Sequence, residues 1–86
     1  MPFKICMIED DSDLAAVVRE HLVKYDFEVA ICKDFKHVDK FIEEQIPQLI
    51  LLDINIPYYD GFYWCNEIRR ITKVPIIFMS ARIEDT

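Results

Sequence analysis

The chain has 86 residues, of which 10 are basic and 16 acidic, for a formal net charge of −6 with both histidines neutral. That length suits one domain and leaves no room for a second, and the acidic balance opposes binding to nucleic-acid phosphates or to an anionic membrane surface. At 52% apolar and 30% charged residues, the composition excludes a disordered chain and requires a packed core.

Phe3 to Ile8 is apolar except for Lys4 and stops at the acidic run Glu9-Asp10-Asp11-Ser12-Asp13. This predicts a short buried strand followed by helix-starting residues. From Asp13 to Tyr25, the residues Leu14, Val17, Val18, Leu22 and Tyr25 recur every three or four positions, an amphipathic helix. Glu28 to Cys32 reads as a second strand. Asp34 is placed to cap a second helix, with Phe35, Val38, Phe41 and Ile42 on one stripe and Pro47 ending it. Leu49 to Leu52 is an unbroken apolar run stopping at Asp53, the pattern of a strand covered on both faces. A turn at Pro57 to Gly61 leads into a third helix over Phe62 to Ile71, with Cys65, Ile68 and Ile71 at core spacing. Val74 to Met79 is a fourth strand of the buried kind, followed by Ser80 and Ala81. The alternation β-α-β-α-β-α-β predicts an α/β fold, an open and mostly parallel sheet with helices on both faces.

Gly61 is the only glycine, so a P-loop or dinucleotide-binding turn, each needing several glycines, cannot be written here. Cys6, Cys32 and Cys65 are odd in number and form no C-x-x-C pair, which favours reduced thiols over disulfides or zinc. With no signal-peptide cleavage pattern and no apolar run near the roughly 18 residues of a membrane span, the expectation is a cytoplasmic protein without membrane contact.

In an open α/β sheet, ligands bind beyond the carboxyl ends of the strands. The first strand runs into Glu9 and Asp10, the third into Asp53 and the fourth into Ser80, so if those strands are neighbours their polar groups converge. Clustered carboxylates repel one another and favour a cation. An all-oxygen donor set points to Mg²⁺. Structural roles compete with this reading: Ser12 and Asp13 fit a helix start, and Asp53 could cap a turn. His21 and His37 have no metal-ligand spacing, Arg69-Arg70 suits a solvated helix face, and Tyr63 and Trp64 suit partly buried packing as well as recognition.

Three motifs in order, Ile-Glu-Asp-Asp after the first strand, Leu-Leu-Asp-Ile-Asn-Ile-Pro-Tyr-Tyr-Asp-Gly around Asp53, and Pro-Ile-Ile-Phe-Met-Ser-Ala at the fourth strand, resemble the receiver domain of two-component response regulators. The resemblance implies a flavodoxin-like (CheY-like) fold in which Asp53 accepts a phosphoryl group from a phosphohistidine on a sensor histidine kinase. It implies that Glu9, Asp10, Asp53 and the backbone carbonyl of Asn55 hold Mg²⁺, that Ser80 hydrogen-bonds the phosphoryl oxygens, and that Ala81 keeps the site accessible. Glu9 in first place resembles regulators of the OmpR/PhoB type, whose output is a DNA-binding winged helix. Gly61-Phe62-Tyr63-Trp64-Cys65 is similar to the branch responding to bacitracin and antimicrobial peptides. This makes the expected role a signalling domain and not an enzyme, with DNA reached only through an effector domain absent from residues 1–86.

Receivers of this family carry a fifth βα unit with a lysine after its strand. Residues 1–86 account for about four of five units, and Lys73 precedes the fourth strand, at the opposite edge of the sheet. The expectation is a partial receiver domain that lacks the last strand and last helices. Its fourth strand would form an exposed edge, associating or swapping elements with a second copy, and phosphotransfer without the lysine would be impaired. Two alternatives remain. A phosphohydrolase of the haloacid dehalogenase type needs Asp-x-Asp, whereas Asp53-Ile54-Asn55 lacks the second acid. A receiver-like interaction module would keep the fold without taking a phosphoryl group.

Overall fold

The computed structural model describes residues Pro2 to Met79. Ser80 and Ala81, both assigned to the site from sequence, lie outside the described residues. The elements run β1 (Lys4–Ile8), α1 (Ser12–Val23), β2 (Glu28–Ile31), α2 (Val38–Gln45), β3 (Leu49–Asp53), α3 (Gly61–Arg69) and β4 (Ile76–Met79). The strands form one parallel sheet in the order β2-β1-β3-β4. The first, third and fourth strands are therefore neighbours, the condition the convergence of polar groups required.

Because successive strand residues face opposite sides, the core divides in two. Cys6, Ile8, Ile50 and Leu52 pack with Val38 and Ile42 of α2 and Trp64 and Ile68 of α3. Ile5, Met7 and Val29 pack with Ala15, and Val18, Leu22, Leu49 and Leu51 lie partly buried against them. One face of the sheet thus carries two helices and the other carries α1. That is why β3 is not covered equally: Ile50 and Leu52 are fully buried, whereas Leu49 and Leu51 are half-buried.

Several expected boundaries move. The stripe of α1 is Ala15, Val18 and Leu22, at spacings of three and four; Val17 turns away and is 51% exposed, and Tyr25 lies beyond the helix and is exposed. Asp11 is the N-cap of α1, its carboxylate accepting from the N–H groups of Asp13 and Leu14, so the capping role falls one residue earlier than Ser12. Asp34 does not cap α2. It accepts from the N–H of Lys36 and pairs with the His37 ring at 2.8 Å in the preceding turn, and the helix begins at Val38. Phe35 still packs on the core from outside the helix. In α3 the buried positions are Gly61, Trp64 and Ile68, with Cys65 half-buried, and Ile71 beyond the helix is exposed. Arg69 is bound rather than merely solvated: its guanidinium donates to the carbonyls of Thr72 and Val74, tying down the turn into β4.

Candidate functional site

Parallel pairing places Ile8 opposite Leu52, so the next residues, Glu9 and Asp53, meet at the carboxyl edge of the sheet. Both are 3% exposed, the only charged residues buried in the described core. With exposed Asp10, they offer carboxylate oxygens that all lie within 4.8 Å of one another. The pattern of apolar runs ending in acid was the signal that located them. Met79 of β4 pairs with Asp53, so the end of the fourth strand stands beside this aspartate, as the strand order requires.

Each buried acid is held by its own chain. Glu9 accepts the Asp11 N–H on Oε2 at 3.0 Å. Asp53 accepts the Asn55 N–H on Oδ1 at 3.3 Å. The other Glu9 oxygen, Oε1, is buried without a hydrogen-bond partner among the described residues. An orphaned carboxylate oxygen in the interior is costly unless a cation or proton meets it. Burial pushes the Glu9 carboxyl up to about 7, opposed by the Asp11 N–H and reinforced by the charge of Asp53. The oxygen-only donor set, its clustering and the unmet Oε1 fit a hard divalent cation such as Mg²⁺.

The segment after Asp53 turns back on itself. Tyr58 adopts a left-handed backbone with φ 73°, the Gly61 N–H donates to the Ile54 carbonyl at 2.9 Å, and Asp60 caps α3 by accepting from the Tyr63 N–H. Tyr59 stacks on Tyr63 with ring centroids 4.3 Å apart, and both sit edge-on to Trp64. Tyr63 and Trp64, which the sequence suits to partly buried packing or to recognition, separate in the structure into an exposed and a buried ring. A groove of about 930 Å³ runs along α1 past Arg19, Val23, Lys33 and Phe35 and reaches the acids through Glu9 and Asp10, while Asp53 is not in its wall. The acidic cluster therefore sits at the rim of the sheet, at the edge of the groove, with two of its three members in the groove wall. His21 bonds the Val17 carbonyl and His37 pairs with Asp34, both exposed and neither joined to the acidic cluster.

Residues 5–86 match the response regulator receiver domain family. The chain belongs to that family. Receiver domains are the signalling input modules of two-component response regulators, and the strand order and acidic edge described above are those of a receiver. The chain is 45% identical over 83 residues to the transcriptional regulatory protein YvcP of Bacillus subtilis, covering 96% of this chain and 35% of that protein. It is 40% identical over 79 residues to the response regulator GraR of Staphylococcus epidermidis, covering 92% and 35%. It thus spans about a third of the length of these curated relatives. Among solved structures, the N-terminal domain of the nisin resistance regulator NsrR, a lantibiotic response regulator, superposes with a TM-score of 0.86 at 35% identity, covering all of this chain and 73% of that one. The BeF3-activated receiver domain of Klebsiella pneumoniae RstA superposes with a TM-score of 0.87 at 29% identity, covering 95% and 70%. No helix among the described residues is long and apolar enough to cross a membrane.

Proposed function

We propose that Asp53 accepts a phosphoryl group from a phosphohistidine of a sensor histidine kinase, with Glu9, Asp10, Asp53 and the main-chain carbonyl of Asn55 as the Mg²⁺ site. The observation that carries this is the burial of Glu9 and Asp53 side by side at the sheet edge, with one Glu9 oxygen lacking a hydrogen-bond partner among the described residues. An Asp53 carboxylate oxygen attacks phosphorus, the P–N bond to the donor imidazole breaks, and that ring leaves with the electron pair and takes a proton. Bound Mg²⁺ supplies charge neutralisation for the transferring group. Glu9 and Asp10 keep that charge at the strand ends, and the Asn55 N–H holds Asp53 Oδ1, leaving the other oxygen for attack. Ser80 donates to the phosphoryl oxygens, and Ala81 leaves access to them. The product carries about −1.5 to −2 charge and three acceptor oxygens, the input of a switch.

The whole protein acts in the cytoplasm as a transcription regulator whose DNA-binding output lies outside these residues, and its receiver is not itself an enzyme. YvcP and GraR support this as regulators matched over a third of their length. NsrR, a lantibiotic response regulator, supports the branch that responds to antimicrobial peptides. For the 86-residue chain on its own, the outer strand β4 carries Ile77 at 50% and Phe78 at 38% exposure, which favours pairing with a second copy. Sedimentation velocity on this chain is expected to show a dimer that Ile77→Lys dissociates, and a monomer at high concentration would remove the pairing.

The central test is incubation with a small phosphodonor and Mg²⁺, read by intact mass. One phosphoryl adduct is expected on the unsubstituted chain and none on Asp53→Ala. Failure of the unsubstituted chain to gain the adduct would leave it an interaction module.

A further inference from the structure

We infer that Gly61 is a positioning residue for the acceptor site, required for its missing side chain and not for backbone freedom. The inference rests on the phosphoacceptor reading above. Gly61 does not have positive φ, so any residue could adopt its backbone conformation. Space is what it lacks: a Cβ here would lie 2.4 Å from the Asp53 carbonyl oxygen, 2.9 Å from Ile54 Cα and 3.1 Å from the Asp53 carbonyl carbon. All three obstacles are backbone, so no side chain can swing aside.

The contact falls on the segment that matters. α3 begins at Gly61, its first N–H holds the Ile54 carbonyl at 2.9 Å, and Asp60 fixes the helix start through the Tyr63 N–H at 2.9 Å. The helix end therefore clamps residues 53–55, which supply the acceptor carboxylate, the N–H that orients it and the proposed Asn55 carbonyl ligand. A Cβ at 61 must push this segment outward, moving Asp53 relative to Glu9 on the adjacent strand. A misplacement of about 1 Å is enough to weaken a site of fixed geometry by an order of magnitude or more.

The test compares Gly61→Ala with Ile68→Val, which thins the buried core of the same helix without touching the site. Three quantities are read on each: urea stability, Mg²⁺ affinity from amide-shift titration, and hydrogen exchange of the Asn55 amide without metal. Gly61→Ala is expected to bind Mg²⁺ at least fivefold more weakly and to exchange the Asn55 amide at least tenfold faster, with Ile68→Val within twofold of the unsubstituted chain in both. Asp60→Ala, which frees the helix start without adding an atom, is expected to shift both readouts the same way by a smaller factor, and decides the matter should Gly61→Ala not fold. Unchanged exchange at Asn55 in the folded variants, or equal changes in Ile68→Val, would overturn the inference. If the unsubstituted chain takes neither Mg²⁺ nor a phosphoryl group, the phosphoacceptor reading fails, and the metal-free exchange still reports whether Gly61 holds Asp53.

Discussion

Glu9, just past the end of β1, and Asp53, at the end of the adjacent parallel strand β3, share one buried corner in which Asp53 is oriented by the Asn55 N–H while one Glu9 oxygen has no hydrogen-bond partner among the described residues. Two carboxylates so placed cannot both be charged without cost. Burial shifts the Glu9 carboxyl from an ordinary 4.5 to about 7. Because the folded value is the higher, the stability linked to this group is full below about pH 4.5 and is lost as the pH rises through about 7. Without metal, urea stability is expected to fall between pH 5 and 8 by about 1–3 kcal/mol more in the unsubstituted chain than in Glu9→Gln. Equal declines in the two chains would show that Glu9 does not carry the effect.

Removing the second charge tests the same corner from the other side. Asp53→Asn keeps an oxygen to accept the Asn55 N–H and abolishes the repulsion with Glu9, worth about 1–4 kcal/mol for unit charges some 4 Å apart, depending on the local dielectric. At pH 8 without metal the variant is expected to be more stable by about 1 kcal/mol, to respond less to millimolar Mg²⁺, and to gain no phosphoryl adduct. A variant that Mg²⁺ stabilises as strongly as the unsubstituted chain would remove Asp53 from the metal site.

The strand ends were legible because apolar runs stopping at Glu9 and Asp53 carry their own boundary, and the parallel order follows from strand–helix alternation. The helix starts were less so. A run of four acids and a serine offers several capping residues, and which one serves depends on where the chain leaves β1; the structure chooses Asp11. Asp34 carries the same local signal before α2 but spends its oxygens on Lys36 and His37 in a turn. The clamp at Gly61 was invisible for a different reason. A lone glycine reads as a turn residue, and only the approach of α3 to the Asp53 carbonyl shows that its role is spatial.

Ile46 caps the C-terminus of α2 in a left-handed conformation, φ 51° and ψ 62°, while its side chain is 78% exposed. A β-branched residue is strained there by about 1–2 kcal/mol, and exposure returns little burial energy in compensation. Asparagine tolerates this conformation and suits a helix C-terminus. Ile46→Asn is therefore expected to raise stability by about 0.5–1 kcal/mol in urea denaturation. A loss would mean that the Ile46 side chain contributes packing its exposure does not suggest.

Trp64 is 3% exposed and its indole N–H is buried without a hydrogen-bond partner among the described residues, beneath Tyr59 and Tyr63. Truncating a buried tryptophan ordinarily costs several kcal/mol because a large apolar volume is emptied. Trp64→Phe retains much of that volume and deletes a polar group whose burial is a penalty of about 1–3 kcal/mol. The two effects oppose, so the substitution is expected to change stability by less than about 1 kcal/mol, whereas Trp64→Ala should cost about 3–5. Trp64→Phe also leaves Asp53 and Glu9 untouched, so Mg²⁺ affinity and adduct formation should match the unsubstituted chain. A large loss of stability in Trp64→Phe, with chemical shifts showing an indole N–H bonded in solution, would place an acceptor at this ring.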